Sequence, residues 1–166
     1  GLIFLLDANL AGANVTTVQD FFPQDVTLDA SSLYEYELVT ALTKSAGVST
    51  HAIETLFGGT ATLNAITQHY YTSAVTGGGT GAATLLSNGY LISAAAFNMT
   101  GSFSGATAAF WLMERGFVSI NASGTFIPQY RLTVAPGGAY STVAGSYFRL
   151  RKLGASGANI AIGPWA

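Results

Sequence analysis

Two histidines, eight carboxylates and no cysteine are the inventory for chemistry in this 166-residue chain. The missing thiol excludes disulfides, thiolate metal sites and cysteine nucleophiles, and leaves the redox compartment open. His51 and Glu54 stand three apart, which in an extended chain puts them on opposite faces. A metal site wants converging ligands, so neither a metal nor a cofactor is expected. Glu35 and Glu37 share one face of a strand, with Cα atoms about 6.5–7 Å apart. A glycosidase acid and base can use such a pair, and an ordinary solvated strand face also produces one. No GxSxG nucleophile elbow occurs. The Gly-rich TGGGTGA at 76–82 lacks the Lys-Ser/Thr end of a phosphate-binding loop and reads as a surface loop. Asn14, Asn98 and Asn121 open N-x-S/T triplets, which chance supplies in a chain this rich in Ser and Thr. The expectation is a protein that is not an enzyme.

Binding is the better-supplied function. Tyr70, Tyr71, Trp111 and Trp165 are large rings able to stack on a sugar or a neighbouring subunit; the competing reading of each is core or subunit interface. Phe103 is the one large side chain in the Gly-rich stretches 76–82 and 101–106, which are expected to lie together at one end of the domain. It is either a partner contact or a ring folded back on its own core. Arg149 and Arg151, in the basic run RLRKL, are candidate partner contacts.

Charge is sparse and unevenly placed. Only 8% of residues are charged, against about 25% in ordinary soluble domains. Residues 1–54 hold seven carboxylates and Lys44, a net of −6; residues 55–166 hold one carboxylate and five basic groups, a net of +4. These blocks either meet between subunits or pair within one. No basic cluster suits a nucleic acid, and no stretch reaches the roughly 18 apolar residues of a spanning helix. A small outer-membrane barrel is the membrane alternative; Lys44 and the arginines do not sort into its loops and lumen.

The elements that must position these residues alternate with period two. Tyr34, Tyr36, Leu38, Thr40 and Leu42 fall on one strand face, and Glu35, Glu37, Val39, Ala41 and Thr43 on the other. Phe126, Tyr130, Leu132 and Val134 share a second such face, and Phe148 and Leu150 point inward between Tyr147, Arg149 and Arg151. Phe110, Leu112, Val118 and Ile120 complete the expected core. Pro128, with no amide to donate, implies an edge or irregular position. Asn88-Gly89 suggests a turn, Gly116 a bulge, and NVTTVQDFF one short helical turn at most. The pattern predicts an all-β, jelly-roll-like antiparallel sandwich of roughly eight to ten strands. Residues 1–25 form an N-terminal strand and connection, and 26–166 the jelly-roll-like domain. Beginning at Gly1, the chain reads as a processed product or the end of a longer one.

Residues 112–154 resemble the C-terminal end of a group of tailed-bacteriophage and viral-metagenome virion proteins. The likeness lies in Gly116, Val118, Asn121-Ala122, Gly124-Thr125, Pro128-Gln129-Tyr130, Ala135-Pro136-Gly137-Gly138 and Ser146-Tyr147-Phe148. It extends to Lys44-Ser45-Ala46-Gly47, His51, Phe57-Gly58-Gly59-Thr60-Ala61-Thr62, and Gly163 with Trp165, and so covers 26–166. The resemblance implies a trimeric structural protein on the outer surface of the virion, with no catalytic residue. A tail-fibre or receptor-binding module, touching other virion proteins and a host-surface glycan or protein, is the first reading. A capsid decoration or head-fibre protein is the alternative, and a polysaccharide depolymerase module the enzymatic one.

Overall fold

The computed structural model describes residues 1–75, 83–157 and 161–165. In chain order the strands begin with β1 (Leu2–Leu5), β2 (Leu10–Ala11), β3 (Gln19–Asp20), β4 (Val26–Leu28), β5 (Ser32–Lys44) and β6 (Ile53–Gly58). They continue with β7 (Thr62–Val75), β8 (Ala83–Leu91), β9 (Phe97–Asn98), β10 (Ala108–Ala122), β11 (Gly124–Leu132), β12 (Ser141–Thr142) and β13 (Tyr147–Ala155). Among the described residues there is no helix, the short turn at NVTTVQDFF included.

These strands make an all-β, jelly-roll-like antiparallel sandwich. The large sheet runs β1-β13-β5-β10-β7-β8, with β2 and β12 attached at the end of β5; the small sheet runs β3-β11-β6-β9, with β4 on β11. Both sheets have open edges among the described residues, so this is a pair of facing layers and not a closed barrel. Residues 1–25 supply strands to both sheets, β1 and β2 to the large one and β3 to the small one.

The alternation in β5 is the seam of the fold. Tyr34, Tyr36, Leu38, Thr40 and Leu42 are all buried, and the residues between them are half-buried up to Val39, Ala41 being buried as well. Tyr36 is where the layers meet: its ring centre lies 5.1 Å from Phe57 and 6.0 Å from Phe126, both on the small sheet. Every expected core residue from β10, β11 and β13 is buried, whereas Val134, read onto the same face as Tyr130 and Leu132, is not. That side chain is exposed because β11 stops at Leu132 and the alternation stops with it. Pro128 does sit at an irregular point. It faces Phe57 of β6, and on its other flank the neighbouring strand is broken between β4 and β3. Its carbonyl still accepts a hydrogen bond from the Phe21 amide.

Two glycine expectations are corrected. Gly116 is no bulge: it pairs in register with Tyr36 on β5 and Gln68 on β7, and the irregularities of β10 fall later, around Ser119–Ala122. A β-carbon at Gly116 would sit 2.7 Å from the Thr67 carbonyl carbon and 3.2 Å from the Tyr36 hydroxyl. The bare backbone lets the Tyr36 phenol cross β10 and donate to the Thr67 carbonyl oxygen at 3.0 Å. Asn88-Gly89 is no turn either: it lies within β8, with Gly89 directly across from Tyr70. A β-carbon there would meet the Tyr70 hydroxyl at 2.7 Å. Each glycine thus lies under a tyrosine of the adjacent strand.

Candidate functional site

The two outer faces of the sandwich differ. On the small sheet the outward polar residues are paired, Arg131 with Glu54 and the Gln129 amide with Asp20, beside half-buried Leu56 and Ile127. On the large sheet the outward positions carry big side chains. Cross-strand register aligns Leu5, Tyr147, Val39, Met113, Tyr71 and Asn88 in one row over six strands. Trp111 stands beside that row, and Leu5, Tyr71, Trp111 and Met113 are all exposed.

The next row along is Ile3, Arg149, Glu37, Arg115, His69 and Tyr90. Beyond it come Arg151, Glu35 and Phe117. These charged rows line a cleft of about 850 Å³, within the size range of small-molecule sites. Glu37 accepts from Arg149 at 3.1 Å and from the Tyr147 hydroxyl at 2.6 Å. Glu35 accepts from Arg151 at 2.7 Å. Arg115 faces Glu37 in register, yet its guanidinium makes no ion pair or hydrogen bond among the described residues. The Tyr90 ring packs on His69, with centres 4.8 Å apart.

Four of the seven carboxylates of residues 1–54 find basic partners within one subunit. Asp29, Glu35, Glu37 and Glu54 pair with Lys152, Arg151, Arg149 and Arg131, each an N-terminal carboxylate with a C-terminal base. Glu35 and Glu37 share a face as expected, each engaged by its own arginine. His51 and Glu54 do not converge: Glu54 faces Arg131, and both imidazole nitrogens are committed. Nδ1 lies 2.8 Å from the Ser49 carbonyl oxygen, and Nε2 lies 2.7 Å from the Tyr140 hydroxyl. Among the described residues no group of three His or carboxylate side chains could hold a metal ion.

The aromatic candidates divide. Tyr71 and Trp111 stand on the outer face of the large sheet. Tyr70 turns inward against Phe97, at 4.4 Å between ring centres. Phe103 folds back on its own sandwich, 4.5 Å from His51 and 4.8 Å from Phe110. It also forms an isolated bridge with His51. Beneath it the buried Lys44 ammonium donates to the carbonyls of Ala46, Gly47, Gly105 and Ala106. Burial holds the Lys44 amine and the His51 imidazole below their ordinary values. Lys44, His51, Phe103 and Tyr140 therefore close one end of the sandwich and tie down the 101–106 stretch. The 76–82 stretch lies outside the described residues. Trp165 is exposed, its indole N–H donating to the Ile162 carbonyl.

Arg149 and Arg151 line the cleft. The sequence reading missed Arg115, Met113, Phe117 and Tyr90 as surface residues. The signal was present: with Phe110, Leu112, Val118 and Ile120 inward, strand parity across β10 sends Trp111, Met113, Arg115 and Phe117 outward. Comparison of the chain with protein-family models, curated proteins and solved structures finds no match.

Proposed function

We propose that this chain is a non-enzymatic structural module of a tailed-phage virion, a tail-fibre or receptor-binding domain that associates with copies of itself, a trimer being favoured. The observation that carries this reading is the difference between the two outer faces. One pairs its polar side chains around half-buried Leu56 and Ile127; the other exposes Leu5, Tyr71, Trp111 and Met113 beside a charged cleft. Exposed apolar side chains in a contiguous patch mark surfaces that are covered by something, and symmetric self-association is the common way to cover them. The resemblance over 26–166 supplies the virion context. Its shared residues, among them Gly47 with Gly138 and Thr60 with Thr125, contact one another within the chain, which accounts for a shared pattern without a shared reaction. A capsid decoration protein is the second reading, favoured by the row of Leu5, Tyr147, Val39, Met113 and Tyr71 across five strands, since a stripe of large side chains suits another protein's surface.

Antibody labelling of intact particles in the electron microscope, with light scattering on the purified chain, tests the reading. Label on a fibre and a trimeric mass are expected. Label on the shell supports decoration instead; a chain absent from particles overturns both readings, and a micromolar monomer overturns the self-association.

A further inference from the structure

We propose that the cleft around Arg115 binds an acidic saccharide, a sugar that presents a carboxylate to the Arg115 guanidinium. The inference deepens the receptor-binding reading and rests on it for its biological setting.

The charge balance of the cleft points to one negative charge. Three arginines and two glutamates line it. Arg149 and Arg151 are consumed by Glu37 and Glu35 at 3.1 and 2.7 Å. Arg115 is left over, exposed, with no partner among the described residues. A guanidinium offers five N–H donors in a planar fork that matches a carboxylate edge-on. A doubly charged phosphate would meet two carboxylates on the same floor, so the monoanion is the better fit. A polyanion such as nucleic acid would need a run of unpaired bases, and the cleft has one.

The rest of the cleft suits a sugar ring. Phe117, 49% exposed, lines the cleft, and just outside it Tyr90, 55% exposed, packs its ring on the lining residue His69. Pyranose rings carry apolar C–H faces that pack on aromatic surfaces, while their hydroxyls hydrogen-bond to planar polar groups. Glu35, Glu37 and His69 supply such groups along the same wall. These side chains stand on paired strands, β5, β7 and β10, so the site is held by ladder hydrogen bonds and needs no loop to order.

The test is binding of the labelled full chain to immobilised oligosaccharides ending in glucuronate, galacturonate or N-acetylneuraminate, with their neutral counterparts alongside. The wild-type chain should hold at least one carboxylated glycan and release its neutral counterpart. Arg115→Gln should weaken that binding by about tenfold or more, as loss of a charge-assisted pair does, and Arg115→Lys by less. Since Arg115 is on the surface, an unchanged melting temperature is expected; Tyr90→Ala, also outside the core, should weaken binding independently. Four results would overturn the inference: no carboxylated glycan held, neutral glycans held equally, binding indifferent to Arg115→Gln, or Arg115→Gln changing the oligomeric mass. Particle labelling is read separately. A chain that is on the particle but binds no acidic glycan refutes the cleft alone; one that binds the glycan but is absent from particles refutes the virion reading alone.

Discussion

Gly47 and Gly138 stand backbone to backbone: a β-carbon on Gly47 would lie 2.5 Å from the amide nitrogen of Gly138, and one on Gly138 would lie 2.6 Å from the carbonyl carbon of Ala46. Gly47 also takes a φ of +84°, where L side chains are strained. Two turns ninety residues apart in sequence are thereby pressed together. Gly138→Ala should cost about 1–3 kcal/mol, the usual penalty of forcing a methyl into filled space. Gly154→Ala, where a β-carbon meets nothing within 4 Å, should cost little. Chemical denaturation midpoints measure both, and equal midpoints would mean that the two turns are not in contact.

Strand parity is tested by a pair of truncations. Leu132 is 1% exposed, so Leu132→Ala should lose about 2–5 kcal/mol. Met113→Ala, on the outer face of the large sheet, should stay within about 0.5 kcal/mol. A reversed order in thermal or urea melts would place the register one residue away.

Lys44 holds four backbone carbonyls without a carboxylate partner. Lys44→Met keeps the aliphatic stem and removes the donors. The four acceptors then lose their partner in a buried setting, for a loss of about 2–3 kcal/mol. The effect should be local as well, with faster amide hydrogen exchange at 101–106 than in the wild type. Uniform acceleration across the chain would argue against a local tie.

Glu114 lies inside the sandwich at 1% exposure, and burial pushes its carboxyl up to about 8. Its Oε1, like Gln68 Oε1 and Thr40 Oγ1, has no hydrogen-bond partner among the described residues. Between the ordinary value of 4.5 and about 8 the folded chain keeps a proton that the unfolded chain has lost. Stability is therefore full below that window, falls as pH rises through it, and is flat above, by an amount on the order of 3–5 kcal/mol. His51, held below its ordinary value by burial, contributes the opposite slope as pH falls below about 6.5. The comparison that isolates Glu114 is with Glu114→Gln: unfolding midpoints at pH 5 to 8 should converge at the acid end and separate at pH 8, the variant being the more stable. Parallel curves would refute the assignment.

Where one strand carries its own signal, the sequence was legible. The alternation of β5 named both its buried tyrosines and its outward glutamates, and the same parity placed Phe148 and Leu150 correctly. What a single strand cannot show is its neighbour. Gly116 and Gly89 each resemble a bulge or turn because the residue that explains them, Tyr36 or Tyr70, arrives from an adjacent strand. The two charge blocks were visible, but only cross-strand register reveals that Glu35 and Glu37 meet Arg151 and Arg149. The surface aromatics were half legible for the same reason: composition names Tyr70 and Tyr71 alike, and parity alone turns one in and the other out. Arg115 escaped notice because a lone arginine matters only once its neighbours are known to be engaged.

The pairing of β1 with β13, which sets Leu2 across from Leu150, also fixes the order of events during synthesis. At about 5–20 residues per second, the first strand waits on the order of ten seconds for its partner to leave the ribosome. Until then β5 lacks the neighbour that covers one flank, and its hydrogen-bonding edge is open to any other extended chain. A nascent polypeptide that has exposed β5 but not yet β13 is thus the one most open to mispairing. A ribosome stalled before Tyr147–Ala155 has emerged should yield aggregated or chaperone-bound product, while one stalled after that strand has emerged should yield native sandwich.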